Sequence, residues 1–174
     1  MKNLTDYIKL VKVDVSDILQ MVLHIPEDMW KTAKVNNDSP MLDTHVRDTD
    51  EFNIEQDHPL DGPSFNLLQK HVSNYCNEFG LSVSIDDGYR ILRYNVGQKY
   101  VTHYDTSFKQ QRDLSVVLLL NDDYEGGELV FPELGITVNP KEHNLILFPS
   151  YFMYKHEVKP VISGTRYSLV TWLH

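Results

Sequence analysis

A single cysteine, Cys76, stands in the 174 residues. An internal disulfide is therefore excluded, and a chain of this length can bury a core without one. Cys76 falls on the apolar side of a predicted helix and reads as a small buried hydrophobe. Long hydrophobic runs are also missing. The strongest, Val116–Leu120 and Leu145–Phe148, fall far short of the ~20 residues needed to span a bilayer. The N-terminal MKNLTDYIKL lacks the continuous apolar stretch of a signal peptide. Positive charge is scarce: 16 Lys and Arg against 25 Asp and Glu give a net charge of −9. That balance is wrong for a protein that grips phosphates. These absences predict a chain of a reducing, cytoplasmic compartment with neither a membrane nor a nucleic-acid partner. If electrostatics steer encounter, the net charge points to a neutral or basic peptide.

Neither an internal repeat nor a low-complexity tract is visible, so the reading is one domain over 1–174, with helical support and a loop in 1–85 and a β-roll in 86–174. Val15, Ile18, Leu19, Val22 and Leu23 follow helical spacing, with Asp14 or Ser16 as cap. A second helix is predicted from Ser64 as N-cap, with Phe65, Leu68, Val72, Tyr75, Cys76 and Phe79 on one side and Gly80 as the stop. The acidic, poorly periodic stretch 36–63 reads as a surface loop with a short strand or two, and as a candidate moving cover. From Asp87 onward, eight or so short apolar runs are separated by Gly, Pro and Asn-Asp turns with no helix between them. The class is therefore α+β, an antiparallel sandwich or barrel with helices packed against it.

The run YVTHYDTSFKQQR places His103 and Asp105 two apart on a strand, so both side chains project to one face. With 8 His and 16 Asp in the chain, such an HxD arises by chance about 0.7 times, and alone it says little. Further residues add weight. In FMYKHEV, the residues Phe152, Tyr154, His156 and Val158 alternate onto one face, aiming His156 inward. In TRYSLVTW, the residues Arg166, Ser168, Val170 and Trp172 share a face. If Trp172 is interior, so is Arg166, and no acidic residue of that strand can pair with it. A carboxylate ligand matches a guanidinium fork. Two histidines and one carboxylate leave open positions on a metal, as in the facial triad of non-haem Fe(II) oxygenases. Zinc also accepts His, His and Asp and would hold a water for hydrolysis, but that reading leaves Arg166 unexplained. Gly126 and Gly127 read as turn residues. His24, His45, His58, His71 and His174 show no partner spacing.

Over Tyr89–Leu173 the chain resembles the 2-oxoglutarate- and Fe(II)-dependent dioxygenases of the prolyl 4-hydroxylase-like branch. The motifs that carry the resemblance are RYNVGQKYVTHYD, NDDYEGGELVFPE, LILFPS and HEVKPVISGTRYSLVTWL, with a histidine 51 residues after the HxD and an arginine ten further on. The resemblance implies a double-stranded β-helix (a jelly roll, cupin-like) backed by N-terminal helices. His103, Asp105 and His156 would hold Fe(II), and Arg166 would bind the distal carboxylate of 2-oxoglutarate. Tyr94 and Trp172 would line the cosubstrate pocket. His143 departs from the family's usual small residue, in a turn outside the metal site. O2 would be the second substrate, ascorbate the reductant, and peptidyl proline the hydroxylated group. An oxygenase of another peptide residue or a small molecule, and a non-catalytic β-roll binding a metal or a carboxylate, are the alternative readings.

Overall fold

β-branched and aromatic runs broken by glycine turns form strands, and the computed structural model, which describes residues 2–35 and 41–174, builds the molecule on them. In chain order among those residues the strands are β1 (Lys9–Val11), β2 (Lys31–Thr32), β3 (Arg47–Asp48), β4 (Asp50–Ile54), β5 (Tyr89–Tyr94), β6 (Lys99–His103) and β7 (Leu114–Leu119). There follow β8 (Glu125–Gly126), β9 (Leu129–Phe131), β10 (Ile136–Thr137), β11 (Leu145–Pro149), β12 (His156–Val158), β13 (Val161–Ser163) and β14 (Arg166–Leu173). Seven of them form a large sheet in the order β1-β11-β7-β14-β5-β4-β2. Five form a smaller one, β10-β9-β12-β6-β3, and β13 pairs with β8. All the pairings are antiparallel. The two sheets face each other as a jelly roll, and helices α1 (Ser16–Leu23) and α2 (Asp61–Phe79) cover the other face of the large one.

Burial explains the composition of the central strands. Alternate residues of β7 serve two cores: Leu114, Val116 and Leu118 pack towards the helices, Val117 and Leu119 between the sheets. Leu145 and Leu147 of β11 likewise face the helices, and Ile146 and Phe148 the inter-sheet space. A strand covered on both faces has no solvated side, so Val116–Leu119 reads as an unbroken apolar run, with buried Ser115 the one polar residue of β7. Each such side chain contributes about 1.5–3 kcal/mol on burial. The helices add Ile18 and Val22 from α1 and Leu68 and Tyr75 from α2.

Several expectations need correction. Residues 1–85 are more than helical support, because β1 and β2 edge the large sheet, β4 lies inside it and β3 edges the small one. The acidic stretch divides. Residues 36–40 lie outside the described residues, whereas Asp50–Ile54 is a strand paired along its length with β5. Its acidic look misled because Phe52 and Ile54 are buried, while Asp50 and Glu51 are half-buried in ion pairs with Arg93 and Arg47. Helix α2 begins at Asp61, one turn before the predicted cap. Ser64 sits inside it, its hydroxyl donating to the Leu60 carbonyl at 2.6 Å. Gly80 does close the helix, in the left-handed region at φ 66°. Phe65 is exposed and Cys76 only half-buried. Residues Phe152–Tyr154 form a short 3-10 turn instead of continuing β12, which leaves Phe152 exposed.

Candidate metal centre and cosubstrate pocket

The site lies between the sheets. His103 ends β6 and His156 begins β12, and antiparallel pairing sets the two opposite each other. Asp105 follows two residues beyond His103 in the next loop, where its backbone N–H donates to the Ser150 carbonyl at 3.2 Å. One ligand atom from each of the three lies within 4.8 Å of the others. His103 Nε2 is 3.6 Å from Asp105 Oδ1, and His156 Nε2 is 3.7 Å from Oδ2. Each imidazole donates its Nδ1–H to a backbone carbonyl two residues earlier: His103 to Val101 at 2.8 Å and His156 to Tyr154 at 3.1 Å. That bond fixes the tautomer and turns the bare Nε2 of both rings to the same point.

Electrostatics keep this donor set ready for a cation. Burial, with His156 close by, holds the His103 imidazole well below its ordinary pKa, so it stays neutral. For Asp105, burial pushes the carboxyl up, but the two imidazoles, the Ser115 hydroxyl and the Trp172 indole outweigh it and leave it low. Ser115 donates to Asp105 Oδ2 at 2.6 Å and is itself 2.7 Å from the Ser150 hydroxyl. Tyr100 stacks on His103 at 3.5 Å, and Phe148 meets His156 edge-on at 4.8 Å.

The second half of the site hangs from β14. As alternation predicts, Arg166, Ser168, Val170 and Trp172 all line this one cavity. Arg166 is 1% exposed, and no carboxylate among the described residues pairs with it. Its Nη1 donates to Ser168 Oγ at 3.0 Å, the Tyr124 hydroxyl lies beside it, and its guanidinium sits 5.0 Å from the Tyr94 ring. Nε has no partner among the described residues. A buried cation left this way is costly unless an anion completes it.

Some site residues were not legible. Tyr100 and His103, three apart, both reach the cavity because the pairing of β6 with β12 shifts between them: His156 opposes His103 while Val158 opposes Tyr100. One extra residue on β6, a bulge, breaks strict alternation. The two glycines are also more than a turn. A Cβ on Gly127 would stand 3.0 Å from Arg166 Cδ, and one on Gly126 only 2.3 Å from the Pro160 carbonyl oxygen. Arg47, Arg90 and Arg112 reach the cavity from three separate segments, with no motif to announce them.

A jelly roll with two histidines and a carboxylate on one side of a point, and a buried unpaired arginine nearby, defines the 2-oxoglutarate- and iron-dependent oxygenase class. The profile of the 2OG-Fe(II) oxygenase superfamily matches residues 89–174, nearly the whole β-roll. That superfamily uses Fe(II) and 2-oxoglutarate with O2 as oxidant, and the His103–Asp105–His156 group offers the matching iron site. Prolyl 4-hydroxylase 5 of Arabidopsis thaliana is 30% identical over 144 residues, covering 62% of this chain and 47% of that protein. The chain thus spans about half the length of this curated relative. Among solved structures, a Trichoplax adhaerens prolyl hydroxylase in complex with a peptide fragment of the hypoxia-inducible-factor oxygen degradation domain has TM-score 0.80 at 20% identity. It covers 97% of this chain and 84% of that one. A Pseudomonas putida prolyl-4-hydroxylase has TM-score 0.77 at 20% identity, covering 96% and 91%. At that identity the likeness speaks for the fold.

Proposed function

We propose that this chain is a dioxygenase that hydroxylates peptidyl proline at C4, with His103, Asp105 and His156 holding Fe(II) and Arg166 holding the distal carboxylate of 2-oxoglutarate. The observation that carries the reading is Arg166, buried, without a carboxylate partner among the described residues, and in the same cavity as the three ligands. A hydrolase built on zinc gives that arginine nothing to do. When bound, iron and 2-oxoglutarate couple decarboxylation of the keto acid to insertion of a hydroxyl into a C–H bond, with succinate and CO2 as coproducts.

The chain's own residues position and protect. Ser115 and the Ser150 carbonyl fix Asp105 so that its carboxylate faces both imidazoles. Arg166, steadied by Ser168, offers its unpaired Nε to an incoming carboxylate, and Tyr94 closes the wall beside it. Leu129, Val117, Val158 and Val170 give the cavity apolar sides that exclude water. A peptide substrate suits the entrance. Tyr104 and the fully exposed Phe108 follow β6, Tyr151, Phe152 and Met153 precede β12, and all are exposed. The two loops are joined by the Asp105 and Thr106 N–H groups donating to the Ser150 carbonyl. Exposed aromatic side chains are what an extended proline-containing chain packs on. A lone cysteine, Cys76, fits a reducing, cytoplasmic setting.

The test is turnover of purified protein with Fe(II), ascorbate and 2-oxoglutarate under air, with and without a short proline-rich peptide, scoring succinate and a +16 mass shift. Peptide-dependent succinate with hydroxylated proline is the expected result, lost in His103→Ala and in anaerobic samples, and diminished when ascorbate is omitted. Succinate without hydroxylated proline would discard proline, and no succinate at all would discard the oxygenase.

A further inference from the structure

In a chain of net charge −9, the mouth of the cavity is basic. Lys34, Arg47, Arg90 and Arg112 line it. Two carboxylates answer them: Glu51 lies 3.6 Å from Arg47 and Asp87 lies 2.7 Å from Arg112. Even those pairs are incomplete, for Arg47 Nε and Arg112 Nη2 are buried without a partner among the described residues. Arg90 has less. Among the described residues its guanidinium has neither an ion pair nor a hydrogen bond. It stands 5.3 Å from the centre of the Trp172 ring, and Arg112 stands 3.8 Å from the same ring. Burial disfavours the charged form of Arg90, and Arg112 and Arg47 add to the cost, with partial relief from Glu51 and Asp87. A strand position facing an inter-sheet cavity has no structural need for such a charge; the neighbours of Arg90 on that face of β5 are Leu92 and Tyr94.

The position of Arg90 says what it would serve. Arg166 and Tyr94 are paired in register at one end of the β5–β14 ladder, and Arg90 pairs with Val170 towards the other. The Trp172 indole beside Arg90 reaches Asp105. Arg90 therefore lies towards the opposite end of the cavity from Arg166, beside the ring that reaches the metal ligand Asp105.

We propose that Arg90, flanked by Arg47 and Arg112, binds a carboxylate of the substrate. Building on the proline reading above, this narrows the substrate to a proline that carries a negative charge next to its ring. An acidic residue flanking the proline in a peptide and the free α-carboxylate of proline itself offer the same chemistry. The locally basic mouth thus selects the opposite charge to the neutral or basic partner that net charge alone suggests.

The experiment is calorimetric titration of protein loaded with Mn(II) and 2-oxoglutarate, a form that binds substrate without consuming it. Three probes are compared: a capped neutral Gly-Pro-Gly peptide, the same peptide with glutamate beside the proline, and free L-proline. One of the carboxylate probes is expected to bind about tenfold more tightly than the neutral peptide, as a charge-assisted hydrogen bond gives. Which of the two it is identifies the source of the carboxylate. Within Arg90→Gln the ratio should fall towards one, and Arg90→Lys should recover part of it. Because the ratio is taken within each variant, a general loss of binding does not imitate the result. Equal binding of all three probes, no binding of any, or a preference that survives Arg90→Gln overturns the proposal. Failure of the proline reading shows separately, as succinate formed by the iron-loaded protein with no hydroxylated proline from any probe.

Discussion

Arg93 and Arg166 sit on neighbouring strands one register step apart, Arg93 opposite Tyr167 and Arg166 opposite Tyr94, yet they point to opposite faces of the large sheet. Arg93 is saturated. Glu27 takes two of its N–H groups at 2.7 Å each, Asp50 takes Nε and Nη2 at 3.2 and 2.9 Å, and Trp30 covers the guanidinium at 4.5 Å. Arg166, far more buried, has one serine hydroxyl, a tyrosine and a bare Nε. The same side chain on the same sheet is finished by the protein on one face and left unfinished on the other. The acids divide likewise. Asp50 is answered by Arg93 and by Asn95 Nδ2 at 3.3 Å, whereas Asp105 has two imidazoles at 3.6 and 3.7 Å that turn unprotonated nitrogens towards it. A structural charge is one whose partners come with the chain; a working charge waits for a partner from outside.

The sharpest test of that distinction is Arg166→Met. It should raise KM for 2-oxoglutarate about 100-fold or more, since a charge-assisted, forked contact is lost. The ligand-free protein should melt no lower and should gain as much as ~1–2 kcal/mol, because an unpaired buried charge has been replaced by an apolar chain of similar length. A melting temperature that falls with activity would mean Arg166 is structural after all. Next in size, Ser115→Ala frees Asp105 from its hydroxyl donor. Loss of a bond that orients a metal ligand costs about 10–100-fold in metal affinity, measurable as the Fe(II) concentration giving half-maximal succinate. Gly127→Ala is expected to be milder. Its methyl would meet Arg166 Cδ and Val161 Cγ2 at 3.0 Å in a residue held at φ +63°. About 1 kcal/mol of stability should go, along with up to about tenfold in KM for 2-oxoglutarate, with kcat little changed.

What the sequence disclosed follows the same line. Strand alternation located Arg166, Ser168, Val170 and Trp172 on one face because β14 runs unbroken for eight residues. The His103–Asp105–His156 grouping was visible as spacing, although Asp105 lies just past the strand's end. Where the backbone departs from regularity, the pattern failed. The bulge in β6 hid Tyr100, and the 3-10 turn at Phe152–Tyr154 interrupted an alternation that looked continuous. Asp50–Ile54 passed for loop because its acids are half-buried in ion pairs, Asp50 with Arg93 of β5, a partner that no local window contains, and Glu51 with Arg47 of β3. The basic mouth was hidden for the same reason. Arg47, Arg90 and Arg112 meet only after three segments fold together, and the average of −9 carried the opposite sign.

The smallest effects belong to the saturated face, and they test the comparison from its other side. Arg93→Met removes both ion pairs and leaves half-buried Asp50 with Asn95 alone. A cost of about 1–2 kcal/mol is expected, discounted for partial solvent access, and at this chain length that lowers the melting temperature by roughly 2–8 °C. KM for 2-oxoglutarate should stay at its wild-type value, the mirror image of Arg166→Met. Glu27→Gln should do less still. Glu27 is 81% exposed, so water and salt already screen its attraction to Arg93, and Asp50 keeps the guanidinium in place. Its melting curve should overlay the wild type at 0.5 M salt. A shift that persists there would mean that the Glu27 pair orders the segment around Trp30 through packing, and that the finished face does more than neutralise its own charges.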